Sequence, residues 1–119
     1  MRDHKRLKAF EMAESIALEA YRLTALFPKE EVYGLTSQIR RAAVSVPSNI
    51  VEGCARESQI EYKRFLEIAF GSLKELHYQI SLATRLGYIP RSKAEEFQLK
   101  LEESEKVLGA LIRSQRPKA

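Results

Sequence analysis

Four runs of apolar residues, each recurring at alternating spacings of three and four and set apart by helix breakers, constrain this chain most. In the first, Phe10, Ala13, Ala17, Ala20, Thr24 and Phe27 fall on one helix face, widened by Ile16 and Leu23, while Glu11, Glu14 and Arg22 face water. Pro28 ends it, because the residue before a proline is driven out of the α region. Residues 29–34 form a polar link carrying Tyr33, and a second segment covers 35–56. Ser58-Gln-Ile-Glu61 reads as a capping box, in which hydroxyl and carboxylate satisfy each other's orphan N–H groups. It opens a third segment with Tyr62, Leu66, Ala69, Leu73, Leu76, Ile80 and Ala83 on one seam. Gly87 is placed to be the C′ residue, with Pro90 beyond it. Ser92-Lys-Ala-Glu95 reads as a second capping box, ahead of Ala94, Phe97, Leu101, Ser104, Leu108 and Leu111. No stretch alternates with period two over a strand length. The expectation is an all-α chain, one domain over 1–119, with helices at about 7–27, 35–56, 59–86 and 92–114. Short links make it an antiparallel, up-down-up-down four-helix bundle.

Size and composition narrow the function classes. A chain of 119 residues with 45% hydrophobic content builds one core and has no room for two. Its single Cys rules out an intrachain disulfide framework and a zinc cluster within one chain. The apolar runs are a few residues long, against roughly 20 for a membrane span, and no apolar stretch follows the N-terminal charges. These features predict a reduced, cytoplasmic setting and no membrane partner. The net charge of +4 sits at the ends. Arg2, Lys5, Arg6 and Lys8 stand against Asp3, and Arg116 and Lys118 lie near the other terminus. Basic ends serve solubility in one reading and anion or nucleic-acid contact in the other.

The second segment carries more apolar surface than a bundle helix needs. At about 100° per residue, Leu35, Ile39, Ala42, Val46, Ile50 and Gly53 form the core face. A second apolar strip, Val44, Pro47 and Val51 with Ala55 at its margin, lies beside it. One stripe suffices for a solvent-facing helix. Two imply that it is covered twice, by its own bundle and by another subunit, so a homo-oligomer is expected. Pro47 removes a ladder hydrogen bond, so the helix either kinks or divides into two, and the bland alternative is a kink with no partner. Ser48, Asn49 or water would then serve the freed carbonyl near Ala43.

Catalytic signals are weak. His4 and His77 are the only histidines, His4 in a tail expected to be mobile, and no Glu-x-x-His motif of the bundle di-metal type is present. Asp3 is the only Asp, so paired-Asp and calcium-loop chemistry are missing. Cys54 reads as a small buried hydrophobe. Gly71 and Gly109 are isolated within helices, which predicts close packing at both. The chain is read as no enzyme, with no cofactor and no metal.

The polar wall of the second segment offers more. Ser45, Asn49 and Glu52 read as a structural cluster, with Glu52 in reach of Arg56 or Arg41. Alternatively Arg40, Arg41 and Arg56, from several copies, line a phosphate-binding surface, since guanidinium forks match phosphate oxygens. Lys63 and Arg64 either extend that surface or form a solvated face. No RNA module with stacking aromatics is present, so any RNA or DNA binding rests on charge and shape.

The run Phe27-Pro-Lys-Glu-Glu-Val-Tyr-Gly-Leu-Thr-Ser-Gln-Ile-Arg-Arg-Ala-Ala-Val-Ser-Val-Pro-Ser-Asn-Ile-Val-Glu-Gly53 resembles the 23S rRNA intervening-sequence protein family. Tyr62-Lys-Arg-Phe-Leu-Glu-Ile-Ala-Phe-Gly-Ser-Leu-Lys-Glu-Leu76 and Leu86-Gly-Tyr88 match its later segments. The resemblance implies a left-handed antiparallel four-helix bundle assembling as a ring, typically a pentamer. The family name reflects gene location, and no ribosomal subunit is inferred from it. Accessory proteins of diversity-generating retroelements share the fold and bind nucleic acid and a reverse transcriptase, but they are far more basic than +4. Phe10 stands where the family often has Trp, and His77 where Glu is common. Two function classes follow: a non-enzymatic oligomeric protein binding RNA or DNA, or an oligomeric scaffold or adaptor for a protein partner.

Overall fold

A computed structural model describes residues 2–115. The basic C-terminal residues Arg116 and Lys118 lie outside the described residues. Four α-helices account for most of the chain: α1 (Lys8–Thr24), α2 (Leu35–Cys54), α3 (Gln59–Arg85) and α4 (Arg91–Arg113). Among the described residues there is no strand. α1 lies against α2 and α4, and α3 against the same two, so the helices form a four-cornered bundle measuring 50 × 24 × 20 Å. Ser45 of α2 meets Ser72 of α3, while Gly53, eight residues on, meets Tyr62 and Phe65.

The seams legible in the sequence form the core. Every residue of the α2 core face is buried, as are all seven of the α3 seam. Phe97, Leu101 and Leu108 of α4 close the bundle, with Ile16 and Ala20 of α1 opposite. Burying each large aliphatic or aromatic side chain stabilises the fold by about 1.5–3 kcal/mol.

Helix ends bear out some signals and correct others. The Ser58 hydroxyl accepts from the Glu61 N–H at 3.0 Å, so α3 starts where the first capping box places it, but among the described residues the return bond from the Ser58 N–H to the Glu61 carboxylate is not formed. Gly87 has φ +83 and closes α3 in a Schellman pattern, Tyr88 N–H to Ala83 O and Gly87 N–H to Thr84 O. The second box is not formed. Pro90 is the N-cap of α4, without a side-chain cap, and the Ala94 N–H already reaches the Pro90 carbonyl, so Ser92 lies inside the helix. α1 stops at Thr24 rather than at residue 27, because Leu26 and Phe27 tighten into three-residue turns on Leu23 and Thr24.

α2 also departs from expectation. It runs unbroken through Pro47, so the divided helix is excluded. The Asn49 amide goes to the Ser45 carbonyl at 2.8 Å rather than to Ala43. The N-terminus is built in rather than loose: His4–Arg6 is a 3-10 turn capped by Asp3, and the His4 ring packs edge-on against Phe10 at 4.7 Å. Gly71 corrects a further expectation, since a Cβ there would meet nothing within 4 Å.

Candidate functional site

The outer side of α2 is the candidate surface. Opposite its buried core face, Arg41, Val44, Ser48, Val51 and Ala55 are all exposed and spaced three and four apart. Val44 is 41% and Val51 37% exposed, while Pro47 is half-buried on the side turned toward α1. Of the strip predicted from the sequence, Val44 and Val51 are therefore left uncovered by the chain's own bundle, while Pro47 is partly covered. At one end the strip opens into a shallow groove of about 570 Å³, lined by Tyr21, Val32, Thr36, Arg40, Arg41 and Val44. Covering what remains of the two valines is worth about 1–2 kcal/mol in all. Association costs several times that, so these two side chains alone do not hold a partner.

On the flank toward α3, Ser45 and Asn49 form an interhelix network. The two hydroxyls of Ser45 and Ser72 lie 2.8 Å apart, and the Asn49 amide donates to Ser45 Oγ at 2.9 Å as well as to its carbonyl. Ser45 thus ties α2 to α3, while Asn49 bonds back to Ser45 on its own helix and reaches α3 only through it. Glu52 sits apart from them, 3.9 Å from Arg56 one turn on, with both side chains about half in water. Such an exposed pair contributes little.

The five basic candidates do not form one patch. Arg40 is turned inward: its Nε donates to Thr24 Oγ1 at 2.8 Å and its Nη2 to the Tyr21 carbonyl at 3.3 Å. Its guanidinium also sits 4.6 Å from the Tyr21 ring centroid. A cation there meets the last carbonyls of α1, where the helix dipole favours positive charge. Arg41 is exposed and, among the described residues, enters no ion pair. Arg56 lies beyond the other end of α2, about 20 Å away along the helix, with its guanidinium over Phe65 at 4.8 Å. Arg2 joins it there, donating to the Arg56 carbonyl at 2.8 Å and lying 4.0 Å from the Tyr62 ring. Lys63 is half-buried on the α3 flank that meets α4 through Lys74 and His77, and Arg64 points outward.

Several anchoring residues were not singled out from the sequence. Glu31 joins the two links at one end of the bundle: Oε1 accepts from the Leu35 N–H at 3.0 Å, and Oε2 from the Tyr88 hydroxyl at 2.8 Å. The Leu35 N–H first, and then Tyr88, hold its carboxyl below the ordinary range, while the Tyr88 hydroxyl is pushed up in turn. A carboxylate four residues before a helix start was the available signal. Thr24, Arg2 and Ser72 were visible only as a polar residue on a core seam, a tail charge and a small residue. Burial pushes the Cys54 thiol up, and Cys54 is 2% exposed, so it is a core residue. His77 Nδ1 lies 2.7 Å from Glu105 Oε2, and Lys74 donates to the other oxygen at 3.2 Å, a bridge between α3 and α4. Among the described residues no three ligating side chains gather for a metal, and no helix is long and apolar enough to cross a membrane.

The sequence profile of the 23S rRNA-intervening sequence protein family matches residues 5–110. A crystal structure of a protein of unknown function from the S23 ribosomal protein family of Bacteroides thetaiotaomicron superimposes with a TM-score of 0.81. It shares 24% identity, and the match covers 88% of this chain and 95% of that one, a likeness of fold. No curated protein matches the chain.

Proposed function

This chain belongs to the 23S rRNA-intervening sequence protein family, and on that premise we propose that it is a self-assembling, non-enzymatic scaffold. In this reading it is an antiparallel up-down-up-down bundle, and the outer strip of α2 is buried between copies arranged in a ring. Five copies is the number the family resemblance implies. The observation that carries the reading is the exposure of Val44 and Val51 on a helix whose opposite face is already fully buried. The substitutions Val44→Glu and Val51→Glu test it together. They place charge on the strip without touching the core, so helicity is retained while the particle mass falls. An unchanged mass refutes this face as the contact.

A second reading, nucleic-acid binding, draws on Arg41. It stands beside the strip with no ion-pair partner among the described residues, so a ring brings several copies of the guanidinium near one another. Arg40 supports the reading less, being engaged with α1. Charge-driven binding to structured RNA or duplex DNA weakens steeply with salt, because released counterions set the affinity. Absence of a gel shift at low salt and micromolar protein leaves the scaffold for a protein partner as the function.

A further inference from the structure

A second cavity, of about 380 Å³, lies where α1 turns into α2, and neither Val44 nor Val51 lines it. Phe27, Pro28 and Val32 give it an apolar wall, Lys29 and Arg40 give it two cations, and no carboxylate lines it. Glu30 and Glu31 stand outside it, and Glu31 is turned to the Leu35 N–H and the Tyr88 hydroxyl. The link around the cavity is apolar and open, with Leu26, Val32 and Tyr33 75%, 51% and 96% exposed. Exposed apolar residues gathered in this way mark a contact surface.

Thr36 is an independent sign of a ligand. Threonines inside helices bond back to a carbonyl one turn earlier, as Thr24 does to Ala20 and Thr84 to Ile80, each at 2.7 Å. Thr36 has Val32 at that position, outside α2, and among the described residues its hydroxyl makes no hydrogen bond. The residue is only 6% exposed and borders the cavity. Among the described residues the one sealed side-chain polar atom without a partner is Gln79 Oε1, so the Thr36 hydroxyl opens onto the cavity. Arg40 is set for the same space. Its Nε and Nη2 are held by Thr24 and the Tyr21 carbonyl, which leaves Nη1 without a partner among the described residues. A guanidinium already held in place loses little freedom on binding.

Two cations and a spare hydroxyl suit a carboxylate, which they meet through charge-assisted hydrogen bonds. The apolar wall beside them suits a bulky side chain. Resting on the scaffold reading, we propose that this cavity docks an acidic peptide segment of a partner protein, one in which a bulky apolar side chain stands beside a carboxylate. The apolar side chain packs on Phe27, Pro28 and Val32, and the carboxylate meets Lys29, Arg40 Nη1 and the Thr36 hydroxyl. A phosphodiester backbone uses the cations alone, and Phe27, 8% exposed, offers no open ring on which to stack a base.

The probe is a library of random heptapeptides displayed on phage and panned against the full native chain. Selected peptides carry Asp or Glu within two residues of Leu, Ile, Phe or Trp. Synthesised and labelled, they bind with an affinity that Lys29→Glu weakens by about tenfold or more and Thr36→Val by about threefold to tenfold. Thr36→Val removes a hydroxyl that bonds to nothing in the chain, so its unfolding midpoint does not fall and the loss of binding stands apart from stability. Particle mass is unchanged in both variants. The proposal is overturned if no peptide is enriched, if the enriched ones lack the acidic and apolar pair, or if they bind both variants as they bind the native chain. A poly-uridine oligonucleotide that binds and is weakened by the same variants, with no peptide enriched, assigns the cavity to nucleic acid and overturns it as well. A monomeric native chain that still selects such peptides through Thr36 overturns self-assembly and leaves this site standing.

Discussion

Gly53→Ala is the sharpest check on how the core is packed. Gly53 lies in the last turn of α2, where a new Cβ would stand 2.9 Å from Phe65 Cβ and 3.4 Å from both Tyr62 Cδ1 and the Tyr62 carbonyl oxygen. Carbon atoms rest about 3.5–4.0 Å apart, so α2 and the start of α3 must separate by about 0.5–1 Å locally. Two of the three obstructing atoms are Phe65 Cβ and a backbone oxygen, which no rotamer change moves away. Overpacking of this kind costs about 1–3 kcal/mol, and the better helix propensity of alanine returns about 1 kcal/mol at most. The net expectation is a loss of about 1–2 kcal/mol, seen as a Tm lower by roughly 5–10 °C for a domain of this size. Urea unfolding followed by circular dichroism at fixed protein concentration reads it as a lower midpoint with unchanged slope. A variant as stable as the native chain would refute the close approach of α2 and α3 at this point.

Arg40→Ala and Arg41→Ala, neighbours in sequence, separate in their effects. Arg40→Ala loses hydrogen bonds to Thr24 and to the end of α1 and lowers unfolding stability by about 1 kcal/mol. Arg41→Ala stays within about 0.5 kcal/mol of the native chain, and equal losses in the two variants would contradict the structure. Glu31 makes part of the stability acid-sensitive. Its carboxyl is held below the ordinary value of 4.5 in the folded state, so its contribution is complete above that value and is lost as pH falls through the depressed one. The Tm difference between native protein and Glu31→Gln is therefore largest near neutrality and shrinks as the pH is taken below the ordinary carboxylate range. A difference that stays constant over that range would remove the Leu35 and Tyr88 bonds to Glu31 as its source.

Sequence alone reached the helices and their buried faces because one periodic signal encodes both. Ile39, Val46 and Ile50 recur at helical spacing only because one side of α2 meets the core. The outer strip was legible for the same reason, as a second apolar periodicity with nothing in the chain to cover it. Capping was legible where the side chain acts on its own helix, as at Ser58, and misread at Ser92, where Pro90 had already set the start. Arg40 shows what local pattern cannot carry. An arginine on a polar helix face suits phosphate as well as a neighbouring carbonyl, and the choice depends on the end of α1 lying beside it, a tertiary fact. Gly53 and Gly71 make the same point as a pair, one closed against Phe65 and the other open, with nothing in the flanking residues to distinguish them.

The central claim is that the outer strip of α2 does not face water in the working protein. Sedimentation equilibrium of the native chain across micromolar concentrations tests it most directly. The account predicts a closed species of about five times the 13.6 kDa chain mass, which the Val44→Glu, Val51→Glu double variant lowers. A native species of 13.6 kDa throughout that range would contradict it.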